Sequence, residues 1–464
     1  MRGGKMMEEM IIDRLRAIVG PSNVTTEYED LLCYAYDATF RESLPAVVVK
    51  PRSTEEISLI MRLANEYKIP VVPRGAGTGL SGGSVPLKGG ICLVLTRLNR
   101  ILSIDKENRV AVVEPGVITD DFHAVTEQMG LFYPPDPASG KTSTMGGNIA
   151  ECAGGARGVK YGVTKDYVLG LEVVLPQGDV ITVGNPIDGE TGDYDYPLLF
   201  TGSEGTLGII TKIMVRLIPL PPYKETVLAI YDQLEAAGET VSTMIKQGVI
   251  PTTLEIADHA TINAVENYLA IGLPTDAQAF LLIEVDGIKD EVVRQIAIVE
   301  ETCRRFGAVS IKVARTKEEI DKLWLARRSI SGACGKISPT KISEDATVPR
   351  SKIPEMIKKV REIAEKYRIK MVIFGHAGDG NLHPNVLTDK RNKEEMARVE
   401  EAVAELFQAT VEMGGTLSGE HGIGYMKAPF LKWETGETGY QVMKAIKKQL
   451  DPHNILNPGK MFTD

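Results

Sequence analysis

Three glycine-dense blocks dominate the first half of the chain: PRGAGTGLSGG (residues 73–83), PPDPASGKTSTMGGNIAECAGGARGVKYG (134–162) and TGSEGTLGII (201–210). Glycine supplies backbone N–H groups without side-chain bulk, which is how a loop wraps a phosphate-bearing ligand. Between the blocks lie short apolar runs such as AVVVK, IPVVPRG, ICLVLT and RVAVVEPG, which read as strands. TEEISLIMRLANEYK reads as a helix capped by Ser53 or Thr54, with acids in its first turn. The first block matches GxGxxG at Gly77, Gly79 and Gly82, but SVPLKGGICLVLT follows it, with no helix and no acid about 20 residues on. A Rossmann dinucleotide fold is therefore disfavoured. A single block could merely make turns, but three within one segment point to a shared ligand.

At 464 residues the chain exceeds what one core accommodates, so two domains are expected. The prolines of IPLPPYKE place the boundary near Pro222; beyond it, longer charged helices alternate with strands such as AFLLIEVDG, which suggests an α+β domain with an antiparallel sheet. The expected division is 1–222, 223–415, and a segment 416–464 that returns to the first domain. A net charge of -9 with no basic run argues against nucleic acid as a partner. The five cysteines form no CxxC pair, which excludes a zinc ribbon or an iron–sulfur ladder and suits free thiols in a reducing cytoplasm. The N-terminal stretch reads as an amphipathic helix rather than a signal peptide, and no window suggests a transmembrane span.

Two further loops carry the chemistry. MVIF followed by GHAGDGNLHPN (375–385) reads as a hairpin in which Gly378 and Gly380 let the chain reverse, bringing His376 and His383 to one end. Alone, such a pair is an ordinary hairpin more often than a metal site. GTLSGEHGIG (415–424) adds Glu420 and His421 in another glycine-flanked loop, and half of the six histidines then lie in these two loops. Two imidazoles and a carboxylate suit a borderline divalent ion, zinc first, with manganese or iron as alternatives. The motif WLARRSISGACGKISPTKISEDATVP offers Arg327, Arg328, Lys336 and Lys341 for an anion; on a helix, Arg327 and Ser331 share a face. His123, His259 and His453 read as structural.

In this order, PRGAGTGLSGG, PPDPAS with GGNIAECAGGARGVKYG, GSEGTLGI, GHAGDGNLHPN, GEHGIG and NPGKMF make the chain resemble the flavoproteins of the vanillyl-alcohol oxidase and p-cresol methylhydroxylase (PCMH) type. The resemblance is to their FAD-dependent D-2-hydroxy-acid dehydrogenase branch, and it runs from about residue 25 to the end. It implies a two-domain α+β, PCMH-type FAD-binding fold with an α+β cap over the substrate. It implies FAD held by Arg74, Gly75, Ala76, Gly77, Thr78, Gly79, Ser81 and Gly82 around the pyrophosphate. Pro134, Asp136, Ser139, Gly146, Gly147, Asn148, Gly154, Gly158 and Gly162 would line the path of the ring, with Glu204, Gly208 and Ile209 near the adenosine. The first loop lacks the histidine that some relatives bond to the flavin, so the FAD is expected to be dissociable. His376, His383 and Glu420 match the metal ligands, His421 the catalytic base and Asn385 a substrate contact.

Arg327, followed four residues later by Ser331, fits the family's substrate arginine. The family's lysine before D-x-x-x-P, here Asp345 to Pro349, falls on Ser343, and Lys341 is the substitute. The implied reaction is oxidation of a D-2-hydroxy acid, D-lactate or glycolate, by hydride transfer to the flavin. Electrons would leave to an iron–sulfur subunit, an electron-transferring flavoprotein or a quinone, and any membrane association would come through such a partner. A homodimer is also expected through the helices of the second half. Two other readings differ in class: a flavin subunit that relays electrons without its own substrate, and a flavin-free metallohydrolase built on His376, His383 and Glu420.

Overall fold

The computed structural model describes residues 2–185 and 194–462, with side chains from residue 8. The helix expected after Pro51 is there, Thr54–Tyr67; Ser53 Oγ accepts from the Glu56 N–H at 3.2 Å, and Lys68 closes it in the left-handed region. Its apolar stripe, Ile57, Ile60, Met61 and Ala64, is fully buried on a small sheet. That sheet runs Val24–Thr25, Val47–Val49, Ile91–Val94, Val71–Arg74, with parallel pairing among the last three. An antiparallel sheet follows in the order Ile101–Asp105, Val110–Val113, Ile209–Arg216, Val168–Val174, Val180–Gly184. The glycine blocks are the connections around these two sheets.

From Tyr223 onward the strands join one antiparallel sheet, whose main path is Ala308–Ala314, Tyr223–Tyr231, Ala279–Gly287, Thr253–Asp258, Met371–His376, Asn381–Thr388, Thr340–Ser343. Both faces are apolar, as a period of two along unbroken hydrophobic runs requires when helices cover each side. In Ala279–Gly287, Leu281, Ile283 and Val285 pack with Val241, Val299 and Ile357 of helices Leu234–Lys246, Lys289–Arg305 and Ile353–Tyr367. Phe280 and Leu282 face the other way, with Val265, Ile320 and Ile330 of helices His259–Leu269, Lys317–Arg328 and Ile330–Ile337.

The last residues go back to the first sheet. Val71 donates to Ile455 O at 2.7 Å and Asn457 donates to Val71 O at 2.7 Å, while Asn457 Nδ2 reaches Gly83 O and Glu204 O at 2.9 and 2.8 Å. The tail thereby ties the first and third glycine blocks together. Among the described residues no helix is long and apolar enough to cross a membrane.

Candidate active site

A cavity of about 630 Å³ lies between the glycine blocks and the larger sheet, within the range that holds a cofactor-sized ligand. Of the expected cofactor residues, Arg74, Gly75, Ala76, Gly77, Thr78, Gly79, Ser139, Gly146, Gly147, Asn148, Glu204, Gly208 and Ile209 line it. So do Arg327, Arg328, Ser331, Lys341, His376, His383, Glu420 and His421 of the expected metal, base and anion residues, whereas Lys336 and Asn385 do not. Two groups of residues far apart in sequence thus share one space.

The remaining expected residues lie behind the walls. Ser81 O accepts from Tyr425 N at 3.2 Å, and a Cβ on Gly82 would stand 1.9 Å from the Tyr425 ring. Pro134 does not reach the cavity, and the carboxylate of Asp136 faces Arg157 Nε at 3.3 Å. Gly154 and Gly158 make room for the opposite half: a Cβ there would meet Glu420 Oε2 at 3.0 Å and Asp379 Oδ2 at 2.6 Å. At Gly162 the neighbour is Asp166, at 2.3 Å. Asn385 is fully buried and donates through Nδ2 to His383 O at 2.8 Å, while its Oδ1 has no hydrogen-bond partner among the described residues. Glu204 lines the cavity, yet its carboxylate accepts from Ile423 N and Gly424 N, both at 2.6 Å. Its visible work is to hold the loop that carries Glu420 and His421.

Strand register assembles the acidic and imidazole groups. Glu255 pairs across from His376, and Phe374 from His383, so Glu255, Phe374, His376 and His383 project from one face. The same face is covered by the helices bearing Arg327 and Ser331, which divide at Ser329 instead of forming one helix, although both side chains still reach the cavity. In the hairpin, Gly380 (φ +89°) makes the reversal, whereas Gly378 serves closeness: a Cβ there would stand 2.8 Å from the side chain of Val159. Beyond the strands, the loop 415–424 is pinned by Asp345, whose Oδ2 accepts from Gly419 N, Glu420 N and His421 N at 3.1, 3.3 and 3.0 Å.

Nε2 of His376 and Nε2 of His383 stand 3.1 and 3.2 Å from the same oxygen, Glu420 Oε1. Donors bound 2.0–2.1 Å from one ion at tetrahedral angles are about 3.4 Å apart, so this spacing fits a shared divalent ion. Behind each ring stands another carboxylate: Glu255 Oε1 is 2.6 Å from His376 Nδ1, and Asp345 Oδ1 is 3.2 Å from His383 Nδ1. A carboxylate on the far nitrogen is the usual way a ligating imidazole is oriented. Burial disfavours charge on His376, but Glu255 and Glu420 outweigh it and raise its pKa well above the ordinary value. The group of carboxylates therefore demands positive charge between them, which a proton or a metal ion can supply.

His421 differs. Burial, with His383 and Lys427 nearby, outweighs the attraction of Asp345 and takes its pKa down to about 4. Its Nδ1 is 3.1 Å from Asp345 Oδ1, and a carboxylate on that side favours the tautomer with the proton on Nδ1 and Nε2 as the basic atom. It is thus a neutral imidazole at pH 7. Near it, Lys341 Nζ donates to Ser331 Oγ at 2.8 Å, and Arg327 is ion-paired through Nε with Glu255. Arg327 therefore meets the cavity already compensated, while among the described residues the side-chain nitrogen of Lys341 has only a hydroxyl partner there.

The sequence reading gave no role to Glu255 or Lys427, and named Asp345 only as the start of the D-x-x-x-P motif. Lys427 is buried, donates to Leu417 O at 2.8 Å and lies 3.3 Å from Asp345 Oδ2. A signal existed for two of them: a carboxylate inside the apolar strand TLEIAD, and one in the short SEDATV run, are costly to bury without partners.

A family model described as "FAD linked oxidases, C-terminal domain" matches residues 220–461, and one described as "FAD binding domain" matches 45–184. The chain belongs to the FAD-linked oxidases. It is 51% identical over 458 residues to the glycolate oxidase subunit GlcD of Bacillus subtilis, covering 98% of this chain and 97% of that one. It is 36% identical to a D-lactate dehydrogenase of Anaerostipes hadrus, covering 91% of each. The fold matches the solved 4-ethylphenol oxidase of Gulosibacter chungangensis with a TM-score of 0.80 at 20% identity, over 98% of this chain and 97% of that one. As a member of the FAD-linked oxidases, with a two-domain α+β fold of the PCMH type, the protein is an FAD-dependent oxidoreductase.

One prediction concerns how the oxidase keeps its cofactor cavity shaped. Gly424 has φ +52°, and a Cβ on it would stand 2.0 Å from Ser81 O. Gly424→Ala must push the loop 415–424 away from the first glycine block, at a cost of about 1–3 kcal/mol. The variant is expected to purify with less FAD and to melt earlier; parental FAD content would show that the contact is not needed.

Proposed function

We propose that the protein oxidises a short D-2-hydroxy acid, with D-lactate or glycolate as the first candidates, to the 2-oxo acid. The observation that carries this reading is the meeting of His376, His383, Glu420, His421, Arg327 and Lys341 on the cavity that the glycine blocks also line. The names of the relatives, a glycolate oxidase subunit and a D-lactate dehydrogenase, point to the same substrate class. FAD, when bound, supplies the acceptor for the hydride that leaves Cα. A divalent ion held by His376, His383 and Glu420, zinc first, would supply a positive charge that favours loss of the hydroxyl proton.

The chain's own groups do the rest. Lys341 and Arg327 take the substrate carboxylate, Lys341 with no carboxylate of its own among the described residues and Arg327 with Nε already committed to Glu255. That contact orients the substrate, and orientation accounts for much of the acceleration in such reactions. His421 receives the hydroxyl proton on Nε2, and Asp345 behind Nδ1 stabilises the imidazolium that forms. Phe374, beside Arg327 with its ring 5.4 Å from the guanidinium carbon, helps keep water from that end of the cavity. Reoxidation falls to a partner or a quinone, as the word subunit in the relative's name suggests.

The test is anaerobic mixing of FAD-loaded protein with a panel of D- and L-2-hydroxy acids while the flavin absorbance is followed. Bleaching by D-lactate or glycolate is expected; no bleaching by any member sinks the reading. Stripping divalent metal with a chelator should slow bleaching at least tenfold, with recovery on adding zinc. An unchanged rate in metal-free protein removes the ion from the proposal.

A further inference from the structure

Glu255 has no exposed surface, and each of its carboxylate oxygens is used by a different part of the site. Oε1 takes Nδ1 of His376 at 2.6 Å, and Oε2 takes Nε of Arg327 in an ion pair. His376 lies directly across from Glu255 in the sheet, whereas Arg327 comes from the last turn of a helix packed over that face. One oxygen thus faces an imidazole nitrogen and the other a guanidinium, the two contacts that a carboxylate accepts. No other carboxylate lies within ion-pair distance of Arg327 among the described residues.

We infer that Glu255 is a positioning residue that sets the anion-binding guanidinium and the ligating imidazole from one carboxylate, making occupancy of the two subsites depend on a common anchor. The inference deepens the proposed function and rests on it for the identity of the two subsites. Physically, Oε2 occupies the Nε edge of the guanidinium and leaves its two terminal nitrogens as the pair facing an incoming carboxylate. Oε1 accepts the Nδ1 proton and so fixes the ring orientation of His376, with Nε2 turned to Glu420 Oε1 at 3.1 Å, a spacing bridged by a proton or by an ion. Removing the charge therefore loosens both at once: the imidazole can turn over, and the arginine is left seeking another acceptor in a buried place. A residue that merely filled space between strand and helix would do neither.

The test uses the FAD-loaded protein with Glu255→Gln, which keeps the shape and removes the charge, and measures two equilibria. One is zinc affinity by chelator competition. The other is affinity for pyruvate, a 2-oxo acid with no hydride to give, read from the flavin absorbance change. Both are expected to fall, zinc roughly 10–100-fold and pyruvate at least tenfold, with FAD content retained. A change in only one, or in neither, overturns the inference. Because Glu255→Gln leaves Arg327 buried without a counter-charge, the double variant Glu255→Gln/Arg327→Gln is measured beside it. Its zinc affinity should stay as low as in the single variant, and return to the parental value would show that Glu255 acts on His376 only through strain from Arg327. If the parental protein holds no divalent ion, the metal in the proposed function is what fails. The anchor is then judged on pyruvate alone: affinity must fall as far in Glu255→Gln as in Arg327→Gln, and parental affinity overturns it.

Discussion

Replacing His421 by glutamine is expected to slow anaerobic flavin bleaching by a 2-hydroxy acid roughly 10²–10⁴-fold, the usual contribution of a positioned general base. The expectation follows from where the histidine sits. Its pKa is taken down to about 4, chiefly by burial, so the free imidazole is present throughout the neutral range. Asp345 faces Nδ1, so the imidazolium formed in the reaction gains a partner that the neutral ring does not need as strongly. Glutamine keeps a polar side chain of similar reach but cannot accept a proton at neutral pH. FAD content and zinc content should remain parental, since neither set of expected ligands includes His421. A bleaching rate within twofold of the parent would assign the proton to another group.

Asp345→Asn is expected to cost on the order of 3–5 kcal/mol, the range for removing one partner from a buried ionic network. Burial alone would raise the pKa of Asp345, but His421, Lys427 and His383 hold it well below the ordinary carboxylate value. One of its oxygens takes three successive backbone N–H groups of the loop 419–421 and lies 3.3 Å from Lys427 Nζ; the other stands between His383 Nδ1 and His421 Nδ1. Asparagine has one oxygen for these two tasks. Its amide nitrogen must face either the N–H groups and the ammonium of Lys427 or the two ring N–H groups, donor against donor in a dry place. The loop carrying Glu420 and His421 then loses its clamp on the side of the larger sheet, leaving Glu204 as the hold from the other half. A lowered denaturation midpoint should therefore be accompanied by loss of bleaching activity. Retention of parental stability would show that Lys427 and water can satisfy the loop without the charge.

The two readings of GHAGDGNLHPN illustrate what the chain of residues could and could not disclose. The hairpin was legible because a period-two apolar run, a glycine-rich turn and a second strand are local features, and the structure pairs Met371–His376 with Asn381–Thr388 as expected. The roles of its glycines were only half legible. Gly380 answers a backbone conformation, which spacing can suggest, but Gly378 answers the approach of Val159 from the other half of the chain, which it cannot. The same holds for the second glycine block, where Gly154 and Gly158 face Glu420 and Asp379 across more than 200 residues of sequence. Arg327 and Lys341 were both nominated for an anion, yet their inequality was invisible: Glu255 sits 72 positions from Arg327 and nothing in either motif announces the pair.

The sequence by itself determined the fold class, the flavin-type glycine blocks and the short loops holding the histidines and Glu420. Those rest on periodicity, backbone freedom and residue chemistry, all carried within a few neighbouring positions. Tertiary structure alone decided which charges are compensated and which carboxylate faces which nitrogen of the imidazoles. Such properties depend on distances of about 3 Å between groups brought together by sheet register and helix packing, and a buried charge takes its meaning from its partner rather than from its place in the chain.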